Sequence, residues 1–159
     1  MINGGKMQKK ELGIYIHIPF CKQKCYYCDF ISYANKCDEV PQYIESLKKE
    51  IEGFDFSNYK VTSIYIGGGT PSSLNEAELI KLLKVVSPKL KKNGEFTFEC
   101  NIENISKNKL LILKQYGVTR LSFGVQSFND ELLKSMNRHH NKEQTLEAIK
   151  IAKEIGFTN

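Results

Sequence analysis

Val61-Thr-Ser-Ile-Tyr-Ile-Gly-Gly-Gly-Thr-Pro71 is the most diagnostic stretch of this 159-residue chain. Its first six residues form a short run dominated by apolar side chains, which is typical of a strand buried on both faces of a parallel sheet. Three glycines and a Thr-Pro pair follow directly. We therefore expect a buried parallel strand whose carboxyl end carries a glycine-rich turn.

Strands and helices alternate on both sides of this stretch. Alternation of this kind predicts βα units and an α/β fold with a parallel sheet, arranged either as an open sheet or as a partial or full barrel. We see no linker, so residues 1–159 would form part of one domain. The predicted strands are Gly13-Ile-Tyr-Ile-His-Ile-Pro19, 94–99 and 121–126, with a fifth strand beginning at 157–159, and the predicted helices are 40–53, 73–83, 107–116, 130–136 and 142–155.

The composition argues against several classes of protein. The chain has no run of about 18 apolar residues, and its first residues do not resemble a secretory signal, so we expect a cytoplasmic protein without a membrane span. The net charge of +5 comes from scattered lysines, such as Lys48, Lys49, Lys107 and Lys109, which we expect to be exposed. Scattered charge predicts a solvated surface rather than a nucleic-acid interface.

Three cysteines form the motif Cys21-Lys-Gln-Lys-Cys25-Tyr-Tyr-Cys28 just after the first predicted strand. Thiolates at this spacing can occupy three corners of a [4Fe–4S] cluster and leave one iron open to a small molecule. Zinc is the main alternative, although it usually takes four protein ligands, and three ordinary buried cysteines are another. Cys37 and Cys100 have no partner at zinc-like spacing, and we expect them to be free thiols.

Other polar or glycine positions follow the remaining predicted strands. Because the carboxyl ends of parallel strands share one edge of a sheet, we expect these residues to meet there. Taken alone, the glycine triplet could equally be a simple turn, and each polar residue alone favours a structural or exposed role. The candidates are Gly68, Gly69 and Thr70 after the second strand, Glu99 at the end of the third, Gln126 at the end of the fourth, and Arg138 in Met136-Asn-Arg-His-His140.

The three histidines have weaker patterns. His17 lies on the polar side of the first predicted strand and is a candidate supporting residue. His139 and His140 have no visible catalytic partner, so we expect both to be exposed, with heme ligation by one of them as the minor alternative.

Together these motifs resemble the radical S-adenosylmethionine (SAM) superfamily, and within it the oxygen-independent coproporphyrinogen III oxidase-like family. The resemblance covers nearly the whole chain and implies a partial (β/α) barrel of about four βα units that stops before its fifth strand is complete. The matching stretches are Ile14-Tyr-Ile-His-Ile-Pro-Phe-Cys21, the cysteine motif, Tyr65-Ile-Gly-Gly-Gly-Thr-Pro71, Phe98-Glu99 and Arg120-Leu-Ser-Phe-Gly-Val-Gln-Ser-Phe128.

The resemblance also implies a ligand for each motif. Cys21, Cys25 and Cys28 would hold a [4Fe–4S] cluster, and one electron from it would cleave SAM to methionine and a 5′-deoxyadenosyl radical. The implied SAM contacts are Tyr15 near the methionyl end, Tyr27 at the adenine, Gly68, Gly69 and Thr70 at the amino group, and Glu99, Gln126 and Arg138.

Phe30 separates two branches of this family. Its coproporphyrinogen III dehydrogenases carry a further cysteine two residues after the motif, where this chain has Phe30. The resemblance therefore favours the sister branch, regarded as heme chaperones, and leaves the dehydrogenase and enzymatic activity itself as the alternative. Heme or a porphyrinogen, a one-electron donor and heme-accepting respiratory proteins are the implied partners. The family's remaining strands and C-terminal domain lie outside these 159 residues, so we expect the chain alone to be poorly stable.

Overall fold

The computed structural model describes residues 8–159. The prediction that the first residues are not a secretory signal falls partly on residues 1–7, which lie outside the described residues. Strands and helices alternate through the described part, as the sequence predicts. The elements are β1 (Lys10–Ile18), β2 (Phe20–Cys21), β3 (Tyr33–Ala34), α1 (Val40–Gly53), β4 (Tyr59–Gly68), α2 (Glu76–Val86), β5 (Leu90–Cys100), α3 (Lys107–Gln115), β6 (Arg120–Phe123), α4 (Asp130–Ser135) and α5 (Lys142–Glu154).

The main sheet contains four strands in the order β1-β4-β5-β6, and every neighbouring pair is parallel. Strands that follow one another in chain order without a reversal have the arrangement of a β/α barrel, whereas a doubly wound open sheet reverses its order at a switch point. The predicted α/β fold with a partial barrel is confirmed. β2 and β3 form a separate parallel pair. β2 contains Cys21, and the rest of the cysteine motif lies in the loop between the two strands.

The helices cover one face of this sheet. α1 contacts α2, α2 contacts α3 and α3 contacts α5, so the helices lie in a row. Right-handed crossovers between consecutive parallel strands place their helices on the same side, and the core forms there. Ile18, Ile66 and Phe98 are fully buried on that face.

The opposite face of the sheet is polar, and it corrects one prediction. Residues 61–66 are not buried on both faces, because Ser63 and Tyr65 on β4 are only half-buried within the described structure. The prediction rests on the β-branched and apolar residues that dominate this run. It is wrong because Thr62, Ser63 and Tyr65 interrupt the apolar pattern and lie on the polar face or near it.

Several predicted boundaries also shift. α2 begins at Glu76 rather than at residue 73, because residues 71–73 form a turn of 3₁₀ helix and the Asn75 side chain accepts a hydrogen bond from the backbone N–H of Glu78. β5 begins at Leu90, ahead of the predicted residue 94. β6 ends at Phe123, ahead of the predicted residue 126. The backbone N–H of Gly124 still donates to the carbonyl of Cys100 at 2.9 Å, and the chain then turns, with the N–H of Val125 donating to the carbonyl of Phe123 at 2.9 Å.

Residues 157–159 do not form the predicted fifth strand within the described structure. They nevertheless lie beside β6, because the backbone N–H of Leu121 donates to the carbonyl of Asn159 at 3.0 Å. None of the helices in residues 8–159 has the length and apolar character that a bilayer span requires.

Candidate functional site

A cavity of about 320 Å³ lies at the carboxyl ends of the four main strands. It brings together residues that are distant in sequence, as expected for one edge of a parallel sheet. Tyr15 and His17 do not line it. The sequence-predicted residues that do are Cys21, Cys25, Tyr27, Cys28, Gly68, Gly69, Thr70, Glu99, Gln126 and Arg138.

None of the cysteines at this cavity forms a disulfide within the described residues, and neither does Cys37 or Cys100. In residues 8–159, no three His, Cys, Asp or Glu side chains are placed to hold a single metal ion. Cys21, Cys25 and Cys28 all line the same cavity.

Two of the sulfur atoms accept hydrogen bonds. The Thr70 hydroxyl donates to Cys21 Sγ at 3.4 Å, and Arg138 Nη1 donates to Cys25 Sγ at 3.6 Å. Asn101 Nδ2 donates to Thr70 Oγ1 at 3.2 Å and so leaves the hydroxyl proton free for the sulfur. These two donors fix the positions of the Cys21 and Cys25 side chains at the cavity.

The glycine turn keeps the space around Cys21 open. A Cβ on Gly69 would lie 2.9 Å from Cys21 Sγ, closer than real Cβ contacts allow, and 3.0 Å from the carbonyl oxygen of Phe20, which is a tight contact. Gly68 adopts φ +117°, which is strained for any residue with a side chain. The turn therefore requires Gly69 for its close contact with Cys21 and Gly68 for its backbone conformation. The glycine triplet in the sequence does not by itself distinguish such a turn from an ordinary one.

The carboxylate of Glu99 is oriented by two donors. The backbone N–H of Gly68 donates to Oε2 at 3.2 Å, and the Tyr65 hydroxyl donates to Oε1 at 2.6 Å. The hydrogen bond to Glu99 is the main reason that the pKa of Tyr65 rises to about 12, and burial adds to the effect. Tyr65 was not a predicted site residue, although its place on the polar side of β4 could have identified it.

Tyr15 and His17 lie beside the cavity on the polar face of the sheet. His17 Nε2 is 2.8 Å from the carbonyl oxygen of Ile31, and Nδ1 is 2.9 Å from the Tyr15 hydroxyl. A carbonyl can only accept, so Nε2 carries the proton and Nδ1 accepts from Tyr15. His17 therefore links β1 to the end of the cysteine loop. The implied contact of Tyr15 with SAM stays a prediction.

The loops after β6 contain the remaining predicted residues. Gln126 lies in a turn with φ +63° rather than at the end of a strand. Arg138 is buried, with 5% of its surface exposed. His139 is exposed as expected, but the expectation is wrong for His140, which is buried under the loop after β6 with Nε2 at 3.1 Å from the carbonyl of Val125.

The cysteine loop is tied to residues far along the chain. Asn137 Nδ2 donates to the carbonyl of Lys24 at 2.8 Å, and Gln23 Nε2 donates to the carbonyl of Asn137 at 3.0 Å. The backbone N–H of Tyr26 donates to the carbonyl of Met136 at 3.3 Å. Sequence periodicity could not find these contacts, because they join two irregular loops.

One lysine that we expected to be exposed is instead half-buried and contacts the turn that follows the glycines. Lys109 is half-buried, and its ammonium donates to the carbonyls of Ser72 at 2.7 Å and Asn104 at 3.0 Å. Burial lowers the pKa of this ammonium. Lys109 therefore fastens α3 to the turn that follows the glycines, rather than contributing to a solvated surface.

Comparisons with known proteins cover most of this chain. The family model described as the Radical SAM superfamily matches residues 15–159. The chain is 42% identical over 150 residues to the heme chaperone HemW of Bacillus subtilis (strain 168), covering 91% of this chain and 40% of that protein. It is 33% identical over 156 residues to the oxygen-independent coproporphyrinogen III oxidase of Escherichia coli (strain K12), covering 95% of this chain and 34% of that protein.

A solved structure shares the same architecture. Coproporphyrinogen III oxidase (HemN) from Escherichia coli, described as a radical SAM enzyme, matches with a TM-score of 0.85 and 34% identity. The match covers 94% of this chain and 36% of that chain. The chain therefore spans well under half the length of the relatives it matches.

Proposed function

The chain belongs to the radical SAM superfamily, and from that membership we propose that Cys21, Cys25 and Cys28 hold a [4Fe–4S] cluster beside a SAM-binding cavity. The observation that carries the proposal is the single cavity that these cysteines share with the glycine turn, Glu99, Gln126 and Arg138. When bound, the reduced cluster supplies the electron that breaks a sulfonium–carbon bond of SAM.

The residues of the chain have distinct tasks in this proposal. The Thr70 hydroxyl and the Arg138 guanidinium donate to the sulfur atoms of Cys21 and Cys25 and so orient two of the proposed ligands. The Glu99 carboxylate, held by Gly68 and Tyr65, retains free lone pairs that can accept from the ammonium group of SAM. Gly69 leaves room for the ligand next to Cys21.

We infer that the whole protein is a heme chaperone that delivers heme to respiratory proteins and takes electrons from a one-electron donor. Two observations support this function: the 42% identity to the heme chaperone HemW, and Phe30 at the position where the family's dehydrogenases carry a further cysteine. Phe30 lines the cavity and is 70% exposed, so an apolar ring replaces a fourth thiol at the cavity rim.

Oxidative decarboxylation of coproporphyrinogen III is the second candidate function. The TM-score of 0.85 to the Escherichia coli enzyme favours it, because the cluster and SAM positions would then sit on the same scaffold. The two candidates share the cofactor site and differ in what the protein does with the porphyrin.

Anaerobic reconstitution with iron and sulfide tests both. We expect the protein to bind heme stoichiometrically in a spectroscopic titration and to leave coproporphyrinogen III unchanged. Release of 5′-deoxyadenosine with formation of protoporphyrinogen would instead establish the second candidate.

Matched cysteine variants test the cluster. Cys25→Ala should lose most of the reconstituted iron, whereas Cys37→Ala, which removes an exposed thiol outside the cavity, should retain it. Equal iron content in the two variants would contradict the assignment of Cys25 as a ligand.

A further inference from the structure

Arg138 carries a buried positive charge next to the cysteine loop. Only 3% of its side chain is exposed. Nη1 donates to Cys25 Sγ at 3.6 Å, and Nη2 donates to the carbonyl of Gly124 at 2.9 Å and to Glu103 Oε2 at 3.2 Å. Nε is buried without a protein partner. The guanidinium therefore sits between the cysteine loop and the loop after β6, with its position set by three acceptors.

Glu103 is the acidic partner of this buried charge. It lies in a 3₁₀ turn that follows β5, and its carboxylate is largely buried, with 22% of the side chain exposed. Burying a guanidinium is costly unless an anion and hydrogen bonds compensate for the lost hydration. Glu103 supplies a carboxylate for this compensation, 3.2 Å from Nη2.

His140 contacts the same loop after β6 that Arg138 contacts. Its side chain is fully buried, and Nδ1 lies 3.6 Å from Glu103 Oε2, too far for a hydrogen bond. Nε2 must carry the proton, because its partner at 3.1 Å is the carbonyl of Val125. Arg138 and His140 thus hold the carbonyls of consecutive residues, Gly124 and Val125, directly before Gln126.

We propose that Glu103 is a positioning residue that holds the Arg138 guanidinium in place for SAM binding. This inference rests on the proposed function, since it assumes that SAM occupies the cavity that Arg138 lines. Without the carboxylate, the guanidinium would turn toward water and lose its place beside Cys25. Glu103 itself does not line that cavity, so it acts through Arg138 rather than on the ligand.

The test is a double-mutant cycle on the anaerobically reconstituted protein. The readout is the dissociation constant of SAM, taken from the change in the electron paramagnetic resonance spectrum of the reduced cluster. Glu103→Gln keeps an acceptor oxygen but removes the negative charge, and it should weaken SAM binding by about tenfold, or about 1.4 kcal/mol. In the Arg138→Gln background, the same substitution should cause no further loss, because Glu103 then has nothing to position.

A matched control separates this effect from the general loss of an ion pair. Glu95 pairs with Arg120 at 3.3 Å, nearly the distance of the Glu103–Arg138 pair, but both side chains are about half exposed. Glu95→Gln should therefore bind SAM like the wild type. If Glu103→Gln does not fold, Glu103→Asp replaces it: the charge remains, the shorter side chain cannot reach Nη2, and SAM affinity should still fall.

Two outcomes overturn the inference. One is wild-type SAM affinity in Glu103→Gln or in its Asp replacement. The other is a loss of affinity that adds to that of Arg138→Gln, which would indicate an effect independent of Arg138. If the wild-type protein itself failed to bind SAM, the proposed function would fall instead, so the two failures are distinguishable.

Discussion

Several side chains at this site are held in place by hydrogen bonds whose donor and acceptor atoms can be assigned. Glu99 accepts from Gly68 and Tyr65, and His17 accepts from Tyr15 while donating to the carbonyl of Ile31. Each interaction restricts one side chain to a single orientation before a ligand arrives. Preorganisation of this kind lowers the cost of binding, because fewer side chains must be ordered by the ligand.

Tyr65 provides a pH test of this arrangement. Its pKa is raised to about 12, so the folded chain keeps a proton that the unfolded chain loses above pH 10. The stability that this hydrogen bond provides is fully present below pH 10 and is lost as the pH rises toward 12. A difference titration of the wild type against Tyr65→Phe at the phenolate absorbance should show a midpoint near 12. A midpoint near 10, the ordinary value, would contradict the short bond to Glu99.

Among the secondary-structure elements, the cysteine loop depends on a partner loop more than 100 residues away in the chain. Asn137 donates to the carbonyl of Lys24 and adopts φ +60°, a left-handed conformation that asparagine tolerates. Lys24 lies between Cys21 and Cys25, so this bond sets the position of two proposed ligands. The loops are therefore a single structural unit even though they come from opposite ends of the chain.

Substitutions of Asn137 separate its side chain from its backbone. Asn137→Gly keeps the left-handed backbone without strain and removes only the bond to Lys24, so iron should be lost faster to a chelator. In the whole protein, Asn137→Ala also strains the backbone and should lower the free energy of unfolding by a further ~1 kcal/mol. Absorbance during chelation and urea unfolding measure the two effects.

Asn93→Gly is the control for this pair. Asn93 has φ +64° and is exposed, and it does not line the cavity. This variant should release iron at the wild-type rate. The role assigned to Asn137 is wrong if Asn137→Gly also retains iron like the wild type.

How far the sequence predicts these elements depends on whether a residue belongs to a periodic segment. The alternation of strands and helices and the strand-end positions of the glycines, Glu99 and the cysteines predict a parallel α/β sheet with these residues at one edge, whereas the choice of a partial barrel over an open sheet rests on the family resemblance. Gln126 was placed on a strand because residues 121–126 are mostly apolar, whereas the turn at φ +63° depends on contacts with Arg138 and His140. Asn101, Glu103 and Asn137 act through contacts between distant segments, which local sequence patterns do not contain.

For the molecule as a whole, the sheet edge at β6 is where the isolated chain leaves apolar surface uncovered. An apolar hollow of about 430 Å³ lies beside β6, lined in part by Leu121, Phe123, Ile149 and Phe157. Exposed apolar surface next to a strand edge favours association with other chains. The relatives are more than twice as long as this chain, and we propose that their further residues cover the corresponding surface.

The 159-residue chain by itself should therefore self-associate. We expect light scattering after size exclusion to show oligomers or aggregates at micromolar concentration, and a non-cooperative thermal transition. Ile149→Lys places a charge in the hollow outside the proposed cofactor site and should reduce association. A monomer with one cooperative unfolding transition would contradict this prediction.

The most direct measurement is electron paramagnetic resonance of the anaerobically reconstituted, reduced protein with and without SAM. We predict the signal of a reduced four-iron cluster, and a change in that signal when SAM is added, because Cys21, Cys25 and Cys28 leave one iron free for it. Failure to assemble a four-iron cluster, or a spectrum that SAM leaves unchanged, would contradict the proposed cofactor site.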